Sequence, residues 1–427
     1  MSKSLYFARQ PILDINGQTY AYELLYRSSL EQGFARIEDG RSATAQVLVN
    51  SLNLIGLKNI LGRALAFINI DTALLMDDMV FSIPKDKFIL EVLETIIITP
   101  EVVERIKTLK KHGYHFALDD ADCSKEYILN FQPIFEYIDI LKLDITLIDE
   151  AKLPQFLALF KKFKLKILAE KVETQEEFDR YKAFGCDLFQ GFFFARPVII
   201  ENRRLDPEQI LILDLIRQLT EDDHINDICH TFEQNVALTL QLLRFINSAA
   251  FSFRSSIKSI RQAVTLLGPN QLKSWLLLIS YANPSTGPKG LENPLLHLAQ
   301  TRSNMMQTFT KAVYKERCNS RLIDKAAFIG LLSLVESLFQ TPMQIILEEL
   351  NVDQEIVQTL TLHQGEFGNI FKLVRAVEFF DTENVDALIN QLSLSRKAFS
   401  KAVEEAYEVT EQFIANLNAT ADSSCTL

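Results

Sequence analysis

The residues from 1 to about 197 alternate short apolar strands with helix-like segments, and this alternation restricts the fold more than any other feature. Seven strands are predicted, at Ala21–Leu25, Leu65–Ile70, Phe88–Leu93, His115–Leu118, Ile138–Leu143, Leu165–Ala169 and Leu188–Phe189. Helical patterns lie between them, at Ala43–Ile55, Thr99–His112, Thr146–Phe163 and Thr174–Phe184. Repeated strand–helix alternation over this length indicates a parallel α/β fold, either a barrel or an open sheet.

Two adjacent carboxylates follow the fourth of these strands, in the sequence HFALDDADC from His115 to Cys123. Asp119 and Asp120 repel each other and lose hydration at the rim of a sheet, so a divalent metal ion is the simplest compensation. An isolated pair of Asp residues is also common in a solvated turn. The ends of the other strands decide between these two interpretations.

Polar side chains recur within or directly after the other six strands. They are Glu23, Asn69, Glu91, Lys142, Asp144, Glu170, Glu173 and Gln190. Because the carboxyl ends of successive barrel strands converge on one mouth, these side chains are expected to meet there. Burying so many polar groups without a common purpose is costly, so we interpret the set as a functional site.

The residue types of this set indicate a site for hard metal ions. Carboxylate oxygens and an amide oxygen, with no Cys or His among them, are the ligands that Mg²⁺ or Mn²⁺ prefers. More than one carboxylate cluster allows two ions, which suits activation of water and stabilisation of a leaving oxygen on phosphorus. Lys142 and Arg27 are suited to neutralise phosphate oxygens. The residues alone therefore predict a metal-dependent phosphoester hydrolase, or a protein that binds such a ligand.

Charge and cysteine content argue against several classes of protein. A net charge of −11 and a pI near 5.2 disfavour a broad nucleic-acid-binding face. The five cysteines lie far apart and lack the spacing of a zinc site, as expected for reduced thiols in a cytoplasmic protein. No apolar run approaches the roughly 20 residues that span a bilayer, and the N-terminus lacks a signal-peptide pattern.

Seven sequence motifs occur in order along the first part of the chain. They are YELLYR (Tyr22–Arg27), FINI with Asn69, LEVLE (Leu90–Glu94), ALDD (Ala117–Asp120), LKLD (Leu141–Asp144), AEKVE (Ala169–Glu173) and FQGFFFARP (Phe189–Pro197). Together they resemble the EAL domain over about 195 residues. The resemblance implies a modified TIM barrel that hydrolyses the second messenger cyclic di-GMP to linear pGpG with Mg²⁺ or Mn²⁺.

The same resemblance implies roles for single residues. The implied ligands of two metal ions are Glu23, Asn69, Glu91, Asp119, Asp120 and either Glu173 or Glu170. Lys142 would assist activation of the water, with Glu23 and Glu170 as further catalytic residues. The residues assigned to substrate binding are Gln10, Arg27, Asp144 and Gln190. Glu94 matches the residue that anchors the loop after the acid pair.

Three positions depart from the pattern of the EAL family. Leu24 replaces the small middle residue of the signature triplet, and we expect this to be tolerated because Leu24 points away from the rim if Glu23 points in. Lys171 stands where the family usually has Gly and adds a cation near the phosphates. Residues Ala121–Ser124 replace a loop with a Phe and two glycines, which links metal binding to dimerisation in the family.

The character of the sequence changes after a linker that runs from Pro197 to about Pro207. Amphipathic helical spacing then replaces strand-like alternation. Helices are predicted at Gln209–Leu219, Ile225–His230 and Asn235–Phe245, and Gly268-Pro269 is predicted to end one helix and start another. We therefore predict a barrel domain at 1–198, an all-α domain at 205–400 and a frayed tail at 418–427.

Three motifs of the helical region resemble the HDOD domain. They are LLRFINSAAF (Leu242–Phe251), SIKSIRQAVTLLG (Ser256–Gly268) and FIGLLSLVESLF (Phe328–Phe339). The resemblance implies a relative of the HD phosphohydrolases that lacks their metal-binding His and Asp and serves as an output or interaction module. Ser333-Leu334 occupies the position after GLL where a His-Asp pair would stand. An EAL domain followed by an HDOD domain resembles a bacterial group tied to signalling and motility control.

Two functions follow from these observations. The first is an active cyclic di-GMP phosphodiesterase whose helical domain regulates it or passes its state to a protein partner. The second is an effector that holds cyclic di-GMP with little or no turnover and acts through protein–protein contacts of the HDOD domain. A purely structural protein is disfavoured by the full set of acids. We further expect a homodimer as one assembly, and neither a nucleic-acid polymer as partner nor a membrane span.

Overall fold

The computed structural model describes residues 5–28, 61, 64–122, 124–196, 207–221, 223–247, 257–282 and 293–422, of which 5–7, 26–28 and 416–422 are described by their backbone alone. The chain forms two compact units, Met1–Arg196 and Pro197–Leu427. The limits of 1–198 and 205–400 for the two domains remain predictions.

The first unit contains a closed barrel of eight strands in sequence order. The strands are β1 (Leu5–Asp14), β2 (Thr19–Ser28), β3 (Leu65–Ile70), β4 (Phe88–Val92), β5 (His115–Ala121), β6 (Ile140–Asp144), β7 (Lys166–Glu170) and β8 (Leu188–Gln190). Strand β1 is antiparallel to both β2 and β8, and all other neighbours are parallel. The predicted modified TIM barrel is confirmed, and the open sheet is excluded.

The reversed direction of β1 follows from the short turn that joins it to β2. The backbone N–H of Gly17 donates to Asp14 O at 2.9 Å, and Gly17 has φ +74°. The carboxylate of Asp14 accepts hydrogen bonds from the backbone N–H groups of Asn16 and Gln18. A connection this short can join only antiparallel strands, whereas parallel strands need a long crossover. Strand β1 was absent from the predicted set because Pro11 interrupts its pattern.

Five α-helices of the first unit lie among the described residues. They are α1 (Thr72–Met76), α2 (Pro100–Lys111), α3 (Lys125–Phe131), α4 (Leu153–Lys161) and α5 (Gln175–Phe184). The predictions for α2 and α5 are confirmed, with Thr99 and Thr174 as their N-caps. The prediction of a helix from Thr146 was wrong over its first turns, because helix α4 begins only at Leu153. The predicted helix Ala43–Ile55 lies outside the described residues.

Two apolar layers form the core of the first unit. The inner layer fills the barrel with one residue from each strand: Ile12, Ala21, Phe67, Ile89, Ala117, Ile140, Leu168 and Leu188. The outer layer lies between strands and helices and includes Ile68, Leu90 and Phe116. Because side chains alternate between the two faces of a strand, residues two positions from each inner residue also point into the barrel.

The described part of the second unit is helical throughout, which confirms the predicted all-α domain. Its helices are α6 (Pro207–Thr220), α7 (Ile225–Glu233), α8 (Val236–Ile246), α9 (Ile260–Ala282), α10 (Pro294–Tyr314), α11 (Ser320–Leu332), α12 (Val335–Phe339), α13 (Met343–Glu349), α14 (Gln354–Leu362), α15 (Gly368–Glu378), α16 (Thr382–Gln391) and α17 (Arg396–Asp422). Gly268, with φ +73°, breaks α9 at the predicted Gly-Pro boundary. The indole of Trp275 is buried in α9.

Helix α10 is the centre of the helical unit and carries buried polar side chains. Arg302 forms a two-pronged ion pair with Glu378 on α15, with both nitrogen–oxygen distances at 2.8 Å. Asn304 Nδ2 donates to Thr410 Oγ1 on α17 at 2.9 Å. Helix α11 approaches α10 closely, since a Cβ added at Gly330 would lie 2.5 Å from the Cα of a residue on α10. Specific polar contacts and close backbone packing therefore fix α11, α15 and α17 on α10.

The frayed tail at 418–427 stays a prediction. Helix α17 continues through residues 418–422, and residues 423–427 lie outside the described part of the chain. None of the helices described is both long enough and apolar enough to cross a membrane.

Candidate active site at the barrel mouth

A layer of polar side chains lies at the carboxyl ends of the parallel strands, next to the inner apolar layer. Each follows the inner residue of its own strand by two positions: Glu23, Asn69, Glu91, Asp119, Lys142, Glu170 and Gln190. On the reversed strand β1, Gln10 instead precedes Ile12 by two positions and pairs in register with Glu23. The alternation of strand side chains therefore directs eight polar groups into one mouth.

Lys142 lies among four carboxylates beneath this mouth. Its Nζ is 2.5 Å from Glu91 Oε1, 2.8 Å from Asp119 Oδ1, 2.9 Å from Glu170 Oε1 and 3.6 Å from Glu23 Oε2. The side chain of Lys142 is 1% exposed and that of Glu91 is fully buried. One cation cannot balance four acids where water is excluded, so the cluster retains an excess of negative charge when all four are ionised.

The pKa values of the cluster reflect this excess of acids. Burial raises the pKa of Glu91 well above its usual value against the attraction of Lys142, and repulsion from Glu23 and Asp119 raises it further. Burial also raises the pKa of Glu170, to about 8. Burial lowers the pKa of Lys142, but its acidic neighbours outweigh burial and raise it well above its usual value. The cluster therefore favours an additional positive charge, either a proton or a metal ion.

Asp119 and Asp120 lie at an irregularity of β5. The pairing of β5 with β6 shifts register between Leu118 and Ala121, and Asp120 has φ +42°. Adjacent residues of a regular strand point to opposite faces, whereas a bulge re-aims a side chain. Burial and repulsion from Asp119 raise the pKa of Asp120. Carboxylate oxygens of Asp119, Asp120 and Glu94 lie within 4.8 Å of one another.

The donor set of this acidic group fits a hard divalent cation. Three carboxylate oxygens at this mutual spacing can contact one ion, because Mg²⁺ and Ca²⁺ bind oxygen at about 2.0–2.6 Å. The three residues of this group all offer carboxylate oxygens, the type of ligand that suits Mg²⁺ and Mn²⁺. No second group of His, Cys, Asp or Glu with this spacing occurs in the part of the chain that the structure describes.

Gln190 organises the side of the mouth where β8 meets β1. Its Nε2 donates to Glu23 Oε2 at 2.5 Å and to Gln10 Oε1 at 3.1 Å. The next residue, Gly191, has φ +148°, and a Cβ there would lie 1.9 Å from the carbonyl oxygen of Val172. Only glycine allows this approach, which holds Gln190 against its two partners.

Asp144 is buried at the end of β6 and has two sets of hydrogen-bond donors. Its Oδ1 accepts from Thr146 N at 2.8 Å and Thr146 Oγ1 at 2.6 Å, and its Oδ2 accepts from Lys171 Nζ. Burial opposes ionisation, but these hydrogen bonds outweigh it and lower the pKa of Asp144. Sequence reasoning missed Thr146, although an Asp followed two residues later by Thr is a pattern typical of a side-chain-stabilised turn.

Glu173, Asn69 and Arg27 complete the predicted set of site residues. Glu173 is more than half exposed and pairs with Arg196, which sequence reasoning did not single out, rather than with Lys142. Asn69 lies in register with Glu91 on the neighbouring strand. Arg27 belongs to β2, but its side chain lies outside the described residues.

Comparison with known proteins agrees with both halves of this architecture. The EAL domain model matches residues 2–197, and the HDOD domain model matches residues 209–352. The crystal structure of the EAL domain of Mycobacterium smegmatis DcpA is similar at 22% identity, covering 44% of this chain and 90% of that chain with a TM-score of 0.36.

Two relatives match nearly the full length of the chain. The uncharacterized protein YuxH of Bacillus subtilis is 31% identical over 411 residues, which covers 95% of this chain and 96% of the relative. The cyclic di-GMP phosphodiesterase CdgJ of Vibrio cholerae is 30% identical over 388 residues, which covers 89% of this chain and 86% of the relative. With both domain models matched in the same order, the chain belongs to the family of proteins in which an EAL domain is followed by an HDOD domain.

Proposed function

We propose that the barrel hydrolyses cyclic di-GMP to linear pGpG with a divalent metal ion, Mg²⁺ or Mn²⁺. The observation that carries this proposal is the acid cluster, in which Lys142 lies among four carboxylates next to the group of Asp119, Asp120 and Glu94. Such an excess of oxygen ligands suits metal-assisted phosphoester hydrolysis. The similarity to CdgJ, which is named a cyclic di-GMP phosphodiesterase, supports the choice of substrate.

The proposed ligands of two metal ions form two groups, of which the first has its carboxylate oxygens within 4.8 Å of one another. One group is Asp119 and Asp120, with Glu94 beside them. The other is Glu23, Asn69 and Glu91, with Glu170 completing it in place of the exposed Glu173. When bound, such ions supply Lewis acidity towards water and the phosphate oxygens.

Lys142 is proposed to position the reacting groups. Its ammonium touches acids from four different strands and therefore holds them in one arrangement. Its positive charge would also stabilise negative charge that develops on phosphate oxygens bound at the mouth. Gln190 and Gln10 lie where β8 meets β1 and are proposed to offer amide groups to a nucleotide, with Asp144 and Arg27 as further substrate-binding residues.

The helical domain is proposed to be a non-catalytic output or regulatory module with a protein partner. The position expected for a metal-binding His-Asp pair is held by Ser333 and Leu334. The hydroxyl of Ser333 donates to Gly330 O at 2.6 Å and accepts from Arg302 at 3.0 Å. This arrangement places a guanidinium next to Ser333, where a metal ion would be repelled.

The second candidate is an effector that binds cyclic di-GMP without appreciable turnover. It is favoured by one observation, namely that Lys171 contributes a cation at the mouth and hydrogen-bonds to Asp144. This additional cation could hold a phosphate group of the nucleotide. The phosphate group would then bind without being cleaved if the metal ions needed for hydrolysis were not all bound.

Incubation of the protein with cyclic di-GMP and Mn²⁺ or Mg²⁺ separates these functions. Release of pGpG, followed by chromatography, is expected for the wild type and is expected to be lost in Glu23→Gln. Glu176→Gln removes an acid from the exposed face of α5 and serves as the matched control. Turnover that survives Glu23→Gln would refute the site, and binding without release would identify the effector.

A further inference from the structure

Lys171 lies at the mouth of the barrel in a backbone conformation that favours glycine. It directly follows Glu170 at the end of β7 and has φ +60°. Left-handed conformations are unfavourable for residues with a Cβ and favour glycine. Local backbone preference therefore does not explain a lysine here, whereas the contacts of its side chain do.

The ammonium of Lys171 is bound at one side and open to solvent at the other. Its Nζ donates to Asp144 Oδ2, while Thr146 occupies the other carboxylate oxygen. The Asp144 side chain is 1% exposed, whereas the Lys171 side chain is 55% exposed. Asp144 thus holds the ammonium in place, and ions that enter the mouth can still reach it.

The charge of Lys171 acts on the acids of the proposed metal site. The ammonium attracts Asp120 and Glu170 as well as Asp144. Strand pairing places both groups at the end of β6: Glu170, the residue before Lys171, pairs with Asp144, and Ala121, the residue after Asp120, pairs with Leu143. Lys171 therefore supplies part of the positive charge that a divalent ion would otherwise supply to the same acids.

We propose that Lys171 is a resident counter-ion of the barrel mouth that competes with a divalent cation on the side of Asp120. This inference rests on the proposed metal-dependent function and deepens it. The ammonium repels an entering cation, and it occupies the one oxygen of Asp144 that Thr146 leaves open. The chain therefore needs a higher concentration of the metal ion for occupancy than it would with an uncharged residue at position 171. Lys171 is a positioning residue in this proposal.

Direct measurement of Mn²⁺ binding tests the proposal without relying on turnover. Free Mn²⁺ is quantified by electron paramagnetic resonance during titration of the full-length wild type, Lys171→Met, Lys171→Gly and Lys171→Arg. Met keeps most of the side-chain length without the charge, Gly also removes the backbone strain, and Arg keeps the charge. We expect Lys171→Met and Lys171→Gly to bind Mn²⁺ about tenfold more tightly, the order for a half-exposed charge facing a divalent ion. Lys171→Arg should stay near the wild type.

The dependence on ionic strength separates repulsion from altered geometry. The difference between the wild type and Lys171→Met should shrink as salt is raised, because salt screens an exposed charge. A difference that is unchanged by salt would assign the effect to Asp144 alone and overturn the counter-ion. Equal Mn²⁺ affinity in wild type and Lys171→Met would also overturn it, while release of pGpG by the wild type with Mn²⁺ would leave the proposed function standing. Absence of Mn²⁺ binding in every variant would overturn both.

Discussion

Replacement of Arg302 by Met should destabilise the helical unit strongly, because it leaves a carboxylate buried without its principal cation. The side chains of Arg302 and Glu378 are 3% and 8% exposed. Removing one member of a buried ion pair costs about 3–5 kcal/mol. Arg375, whose guanidinium lies 3.0 Å from Glu378 Oε1 and is partly exposed, remains in the variant. We therefore expect a loss near the lower limit, about 3 kcal/mol.

The only tryptophan of the chain provides an assay for this unit alone. Trp275 is buried in α9, so its fluorescence reports unfolding of the helical unit. With a urea m-value of about 3 kcal/mol/M, a loss of about 3 kcal/mol lowers the midpoint by about 1 M. Arg217→Met removes the half-exposed ion pair with Asp214 on α6 and should change stability by less than about 1 kcal/mol.

The defect of Arg302→Met should also depend on pH. Burial raises the pKa of Glu378, and Arg302 opposes that shift in the wild type. Without Arg302 the pKa in the folded state rises further, while that in the unfolded chain stays near its usual value of about 4.3. A carboxyl whose pKa is raised by folding loses stability as the pH rises through the folded-state value. The defect should therefore be larger at about pH 8 than at about pH 5.

The companion variants define the result that would refute this reasoning. Removing both charges in Arg302→Met/Glu378→Met should restore stability to within about 1–2 kcal/mol of the wild type, because no unpaired charge is left. If Arg302→Met keeps the wild-type urea midpoint, or if its defect is equal at both pH values, the buried pair does not carry the stability assigned to it.

Three further predictions concern the barrel. Lys142→Met should reduce pGpG release by at least about 100-fold, which is the scale of losing one preorganised charge, while circular dichroism still shows a folded protein. Turnover within tenfold of the wild type would remove Lys142 from the proposed mechanism. Gly191→Ala should lower thermal stability far more than Gly185→Ala. The atom nearest to the new Cβ is a backbone carbonyl oxygen at 1.9 Å at position 191, but the ammonium of a flexible lysine side chain at 3.8 Å at position 185. Equal effects would contradict the close approach of the backbone at Gly191. Chelation of divalent ions should abolish hydrolysis and Mn²⁺ should restore it, so turnover that persists in excess chelator would refute metal dependence.

Single strands and helices were predictable from the sequence where a local pattern of residues specifies them. Leu65–Ile70 is apolar at every position except Asn69 and lies in β3 with the predicted bounds. The helices that begin after Thr99 and Thr174 were predictable because each threonine caps its helix through a local hydrogen bond. Polar groups at strand ends were also readable, since direction along a strand fixes which end faces the mouth.

Features that depend on distant pairing were not predictable from the sequence. Closure of the barrel requires β1 to pair with β8, for example Ile12 with Gln190, across most of the first unit. The left-handed conformation of Asp120 likewise depends on the register between β5 and β6. The Lys142 cluster was predicted as a set of residue types, but its contacts needed five strands in their final positions. No local pattern specifies these arrangements.

The contacts of α10 decide how much of the helical unit can be exchanged between proteins. The match to the HDOD domain model ends at residue 352, before Glu378 on α15 and Thr410 on α17, which bond to Arg302 and Asn304. If a segment that ended at residue 352 were fused to another protein, Arg302 and Asn304 on α10 would lose both of these partners. We therefore expect the segment that includes all helices through α17, rather than the segment that ends at residue 352, to fold when it is transferred to another protein.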